Sequence, residues 1–216
     1  MVMRFFWLAL LCAAVTACAS TKPPEPKGFT EEERGQVDAV LVPLVSASGI
    51  CSGQARCPIG LGVRPVARIE IAVGPHPPNK FGLTVTAGAL RSLQPSELQA
   101  ALAHELGHVQ LGHLASREAR REAERSVESA PKRDAVEAVR RNRAYDREEE
   151  YAADRYAVEL LDRLPGGPGR GCSEMLLLLE RLDLEQLSPG WSNWLSTHPT
   201  PAARLQAIRA ECDKKP

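Results

Sequence analysis

Residues 97–109, Glu97-Leu98-Gln99-Ala100-Ala101-Leu102-Ala103-His104-Glu105-Leu106-Gly107-His108-Val109, constrain the chain more than any other stretch. The run is strongly helical and mostly apolar, so it predicts a helix with Leu98, Ala101, Leu102, Leu106 and Val109 turned to the core. At 3.6 residues per turn, His104 and His108 stand about 40° apart on that helix, one turn above the other. Both imidazoles can then reach one metal ion. Glu105 projects about 100° away from His104, so it need not ligate and is free to take a proton from a nearby water. Two histidines capping a packed helix face are the plainer reading. Three specified residues inside a helical, apolar run speak against it.

This H-E-x-x-H spacing is the zinc-peptidase pattern, and such a site needs a third protein ligand with one position left open. Asp146 to Ala157 offers it. Glu150 and Asp154 are four residues apart, hence on one helix face, and Ala152 and Ala153 between them let another helix pack closely. Glu150 is the candidate third ligand, with Asp154 placed to orient a ligand histidine through its other ring nitrogen. Glu148 and Glu149 lack a carboxylate one turn on. A charged face on an exposed helix is the alternative. His113 fails as a ligand on two counts. A straight helix puts it about 180° from His104, and the residues three and six beyond His108 are Leu111 and Leu114, which breaks the metzincin pattern. His76, between prolines, is expected in a solvent-exposed loop. His198 sits in a polar loop that suits either a mobile site residue or a structural one.

Lys+Arg 27 against Asp+Glu 27 leaves no net charge, so nothing points to nucleic acid as a partner. Arg4 and the apolar run from Phe5 to Val15 read as a signal peptide over 1–17, too short to span a membrane. Val15-Thr16-Ala17-Cys18 resembles a bacterial lipobox, with lipidation at Cys18; an ordinary signal peptide is the alternative. Residues 18–29 then form a lipidated, Pro-rich tether. Ala19 after the cysteine favours the outer membrane, with the domain (30–216) facing the periplasm. Cys51, Cys57, Cys172 and Cys212 remain for an oxidising compartment. Of three possible pairings, the close spacing of Cys51 and Cys57 favours 51–57 with 172–212.

Thr30 and Glu33 form a capping box for a helix to about Ser46, with Pro43 expected to kink or shorten it. Residues 48–65 read as a loop, 66–73 and 82–86 as strands, and 74–79 as turn. Pro95 opens the motif helix. Residues 117–150 hold ten basic and ten acidic residues, broken by Pro131. They read as a helical hairpin laced with i,i+4 ion pairs rather than a partner-binding arm. After a loop at 164–171, Ser173 is expected to cap a helix to about Leu187, and the last helix to span 202–211.

Together, His104-Glu105-Leu106-Gly107-His108, Glu150-Tyr151-Ala152-Ala153-Asp154, and Ser196-Thr197-His198-Pro199 with Arg204 resemble the gluzincin family of HtpX-like, Oma-type and CAAX-prenyl-protease-like metallopeptidases. The likeness runs over roughly residues 66–209, and Leu83 to Leu90 looks like the family's strand leading into the motif helix. The resemblance implies an α+β, mainly helical zincin-like domain with a small β-sheet beside that helix. It implies one zinc on His104, His108 and Glu150, with Glu105 as general base. His198 and Arg204 would lie at the site, contacting the oxyanion or gating the metal. An extended peptide would add to the edge of the strand before the motif helix. The chain lacks the membrane helices of HtpX and the prenyl proteases and has no room for a tetratricopeptide domain, so it most resembles small lipoprotein members. The expected function is a lipid-anchored zinc endopeptidase acting on envelope or misfolded proteins. The alternative is a non-catalytic or latent zinc lipoprotein serving as a chaperone or assembly factor for outer-membrane proteins.

Overall fold

A computed structural model describes residues 30–77, 79–127, 132–186, 188, 190–191, 198 and 200–214. The leader and tether read over 1–29, with Cys18, lie outside these residues, as do Pro131, Trp194, Ser196, Thr197 and Pro199. Helix α1 (Glu31–Ser48) opens on the expected capping box. Thr30 Oγ1 accepts from the Glu33 N–H at 3.1 Å, and the Glu33 carboxylate accepts from the Thr30 N–H at 3.0 Å. The helix continues through Pro43 to Ser48 and stops at Gly49, whose φ of 70° ends it in a left-handed cap.

Three strands follow, β1 (Ile59–Arg64), β2 (Ile71–His76) and β3 (Asn79–Thr86), in the order β1-β3-β2. β1 runs parallel to β3, and β2 antiparallel to it. The sequence reading put β1 inside a loop, because its two glycines hide the alternation of Ile59, Leu61 and Val63. It also began the second strand too early and ended it too soon. Pro75 lies inside β2, opposite Phe81, a position an edge strand tolerates because no ladder bond needs its missing N–H. The strand before the motif helix is thus the central one. With β1 on one side and β2 on the other, β3 has no edge to offer a peptide, and the edge expectation fails for it.

After the short α2 (Ala87–Ser92), Pro95 begins α3 (Pro95–Gln110), in which every residue from Glu97 to Val109 is buried. α3 packs against α1, β2, α5 (Lys132–Asp162) and α6 (Arg170–Leu184). It comes close to α5 at Gly107, where a Cβ would meet Ala153 O at 3.0 Å. The small pair Gly107 and Ala153 is what brings α5 near enough for Glu150 to reach α3. α3 ends at Gly112, φ 74°, and α4 (His113–Val127) starts in a new direction. α6 starts at Arg170 instead of at Ser173, because Asp162 Oδ1 accepts from the N–H groups of Gly169 and Gly171 and caps it from α5. The last helix, α7 (Pro201–Cys212), is tied to α6 by Cys172–Cys212, and Cys51 pairs with Cys57. Both bridges are the favoured ones. No helix among the described residues is long and apolar enough to cross a membrane.

Candidate metal centre

Four elements place seven side chains around one point. α3 supplies His104, Glu105 and His108, α5 supplies Glu150 and Asp154, the segment before α7 supplies His198, and α7 supplies Arg204. None is more than 4 % exposed. Burying that many polar groups is costly unless each is paired or holds a cation.

His104 Nε2 and His108 Nε2 face each other at 3.1 Å, and Glu150 puts Oε2 3.2 Å from the first and Oε1 3.3 Å from the second. Donors about 2.0–2.1 Å from a tetrahedral zinc stand about 3.3 Å from one another, so these three fit that ion. One atom from each of His104, His108, Glu150 and His198 lies within 4.8 Å of the others. Two imidazole nitrogens and a carboxylate converging in a buried space leave lone pairs that a cation satisfies and protons satisfy only in part.

The outer contacts explain how these groups are held. Asp154 Oδ1 lies 2.8 Å from His104 Nδ1 and takes the position expected of it. Arg204 binds Asp154 with both nitrogens, Nε to Oδ2 at 2.8 Å and Nη2 to Oδ1 at 2.6 Å, and its Nη1 reaches Glu150 Oε2 at 3.1 Å. Burial alone would push the Asp154 carboxyl up, but Arg204 and His104 hold it down at about 2. Burial likewise opposes ionisation of Glu150, and His198, His104 and His108 outweigh it and hold the carboxyl well below its usual range. Burial lowers His108 to about 4, which keeps its ring neutral, as a ligand must be. His198 lies between two carboxylates, its Nδ1 3.0 Å from Glu150 Oε2 and its Nε2 3.2 Å from Glu105 Oε1. These raise it to about 9 against the effect of burial.

Glu105 Oε2 accepts from the Val73 N–H at 2.9 Å. Among the described residues no aligned donor reaches its buried Oε1, and His198 Nε2 lies 3.2 Å away.

Several contacts here were not read from the sequence. His113 does not face away: its Nδ1 is 2.8 Å from His108 Nδ1. The straight-helix reading failed because α3 stops at Gly112, a glycine whose helix-ending role was there to be read. Arg117 on α4 reaches Glu150 Oε1 with Nη2 and Glu149 Oε2 with Nε, both at 2.9 Å. Glu149 also accepts from Arg120 at 2.7 Å and from Ser116 Oγ at 2.6 Å. These pairs join α4 to α5 across the helices, and among the described residues Arg125 with Glu122 is a pair within α4. His76 is exposed and outside the cluster, as expected, but it ends β2 where a loop was expected.

Residues 72–212 match peptidase family M48, a span that takes in all seven side chains and the Val73 amide. No curated protein and no solved structure matches the chain. M48 peptidases are zinc-dependent, and the buried His/Glu group could bind a metal. With well over half its length inside the match, the chain belongs to peptidase family M48, the zinc metallopeptidases.

Proposed function

We propose that the chain is a zinc-dependent endopeptidase in which His104, His108 and Glu150 hold the ion and Glu105 is the general base. The observation that carries this is the convergence of His104, His108 and Glu150, with ring nitrogens and carboxylate oxygens 3.1–3.3 Å apart, beside the buried carboxylate of Glu105. Bound there, zinc would act as a Lewis acid, polarising the scissile carbonyl and lowering the pKa of water towards about 7. Val73 N–H fixes Oε2, so Oε1 is the oxygen that accepts the proton as water attacks the peptide carbon. Glu105 then passes that proton to the leaving nitrogen as the C–N bond breaks, giving a carboxylic acid and an amine, which end as carboxylate and ammonium once the acid's proton moves to the amine. His198 is close enough to donate to the developing oxyanion, and Arg204 keeps Asp154 and Glu150 in place.

The sheet has two edges, β1 and β2, and that of β2 is the one beside Glu105. β2 pairs with β3 on one side, and its Val73 N–H turns away from β3 toward Glu105. A peptide lying along β2 by strand addition would pass beside the base. We place the protein in the bacterial envelope, lipid-anchored through Cys18 at the outer membrane and facing the periplasm, with envelope or misfolded polypeptides as substrates. The two disulfides suit that oxidising compartment.

A second reading rests on His198. Once it gives up the proton that its two carboxylate neighbours favour, its place in the donor group lets it fill the fourth position that water needs, which would make the enzyme latent or a non-catalytic assembly factor. Zinc content and casein cleavage of the purified full chain separate the readings. About one zinc per chain is expected. Glu105→Gln should keep the zinc and lose cleavage, and Glu150→Ala should lose both. A Glu105→Gln variant cutting at the wild-type rate sinks the mechanism. A folded wild-type chain without zinc sinks the assignment, and zinc without cleavage favours latency.

A further inference from the structure

Two candidate ligands, His108 and Glu150, have partners on α4 that the mechanism above does not use. A neutral imidazole carries one proton on two nitrogens. His108 and His113 place their Nδ1 atoms 2.8 Å apart, and both rings are buried, so one nitrogen donates and the other accepts. The choice is coupled to the metal centre. If His108 carries the proton on Nδ1, its Nε2 lone pair is free to point at His104 Nε2 and Glu150. If His113 donates instead, His108 must carry its proton on Nε2, directed into the cluster, and cannot ligate there. His104 has the same arrangement through Asp154 on α5.

Arg117, four residues on and therefore on the same face of α4, takes up Glu150 Oε1 at 2.9 Å while Arg204 takes up Oε2. The carboxylate is thus gripped from both outer sides, and its ionised form is favoured without a ligand in place.

We propose that His113 and Arg117 are positioning residues for the metal centre: His113 Nδ1 accepts from His108 and fixes the tautomer that ligates through Nε2, and Arg117 holds Glu150 in its ligating orientation. The inference rests on the zinc reading above. It makes α4, at the base of the charged hairpin, part of the metal centre. It also fixes the His113 proton on Nε2.

Zinc affinity of the purified full chain, measured by competition with a chromophoric chelator, tests this. His113→Leu removes the acceptor at similar volume and should weaken binding about 10–100-fold, the range for losing an outer partner of a ligand. His113→Asn returns an oxygen near the position of Nδ1 and should recover most of that loss. Arg117→Met should weaken binding about tenfold or more on the same scale. Binding within twofold of wild type in folded His113→Leu or Arg117→Met overturns the role of that residue. Equal losses in His113→Leu and His113→Asn reduce His113 to packing and overturn its hydrogen-bond role. If the leucine variant does not fold, histidine ¹⁵N spectra of the zinc-loaded wild type decide the matter. His108 protonated at Nδ1 facing an unprotonated His113 Nδ1 is the expected result, and the reverse overturns the proposal. A folded wild type that binds no zinc defeats the underlying function instead, so the two failures are told apart.

Discussion

Asp154 holds two things at once, the Nδ1 side of His104 and the guanidinium of Arg204. Asp154→Asn keeps the shape and an acceptor oxygen but removes the charge that makes His104 a stronger donor and that neutralises a buried arginine. We expect zinc binding to weaken about 10–100-fold and the fold to lose on the order of 1–3 kcal/mol, the cost of leaving a buried polar group poorly matched. Chelator competition and denaturant unfolding on the same preparation check it; unchanged zinc affinity would remove Asp154 from the centre. This residue was legible because Glu150 and Asp154 share a helix face at i,i+4, a relation that depends only on helical pitch. His113 obeyed no such relation, since Gly112 breaks the pitch between it and His108. Arg117 was hidden among ten basic residues with nothing in the sequence to say which of them turns inward. His198 and Arg204 came from likeness to a known pattern, because the long-range contacts that bury them leave no local trace.

At the scale of elements, the junction of α4 and α5 is held by Glu149, which accepts from Ser116, Arg117 and Arg120. Partial burial would raise its carboxyl, but the bonds from Arg120, Ser116 and Arg117 bring it from 4.5 down to about 2. A carboxyl lower in the folded than in the unfolded state contributes stability that is complete above about pH 5 and fades as pH falls toward 2. Glu149→Gln should therefore flatten the acid limb of a stability–pH profile. It should also speed amide exchange in the first turns of α4 at neutral pH. If both traces overlay the wild type, the junction is held by something else. The helices themselves were legible from periodicity and caps, as the Thr30 and Pro95 starts show, because those signals are local. The sheet was not. β1 pairs in parallel with a strand some twenty residues away, and its glycines and the proline of β2 carry the signature of turns when read singly.

Across the whole molecule, the side chains of the buried cluster come from both ends of the matched span as well as its middle. α3 lies near the start of it, and His198 and Arg204 lie near its end, inside the 40-residue loop that Cys172–Cys212 closes. The bridge fastens α7 to α6, and α6 in turn packs on both α3 and α5. Cutting it frees only one chain segment, but that segment carries the arginine that grips Asp154 and Glu150. Replacing both cysteines by serine should cost about 4 kcal/mol by the loop-closure relation for this span. If α7 is held to the centre by the bridge, the loss will not be one of stability alone. At temperatures where the double variant remains folded, its zinc affinity should already have fallen, because Arg204 spends less time against its two carboxylates. Measuring zinc affinity well below the variant's melting transition separates the two effects. An affinity equal to the wild type there would show that α7 is seated by its own packing, around Ile208 and the buried Arg204, and that the bridge acts only on the unfolded chain.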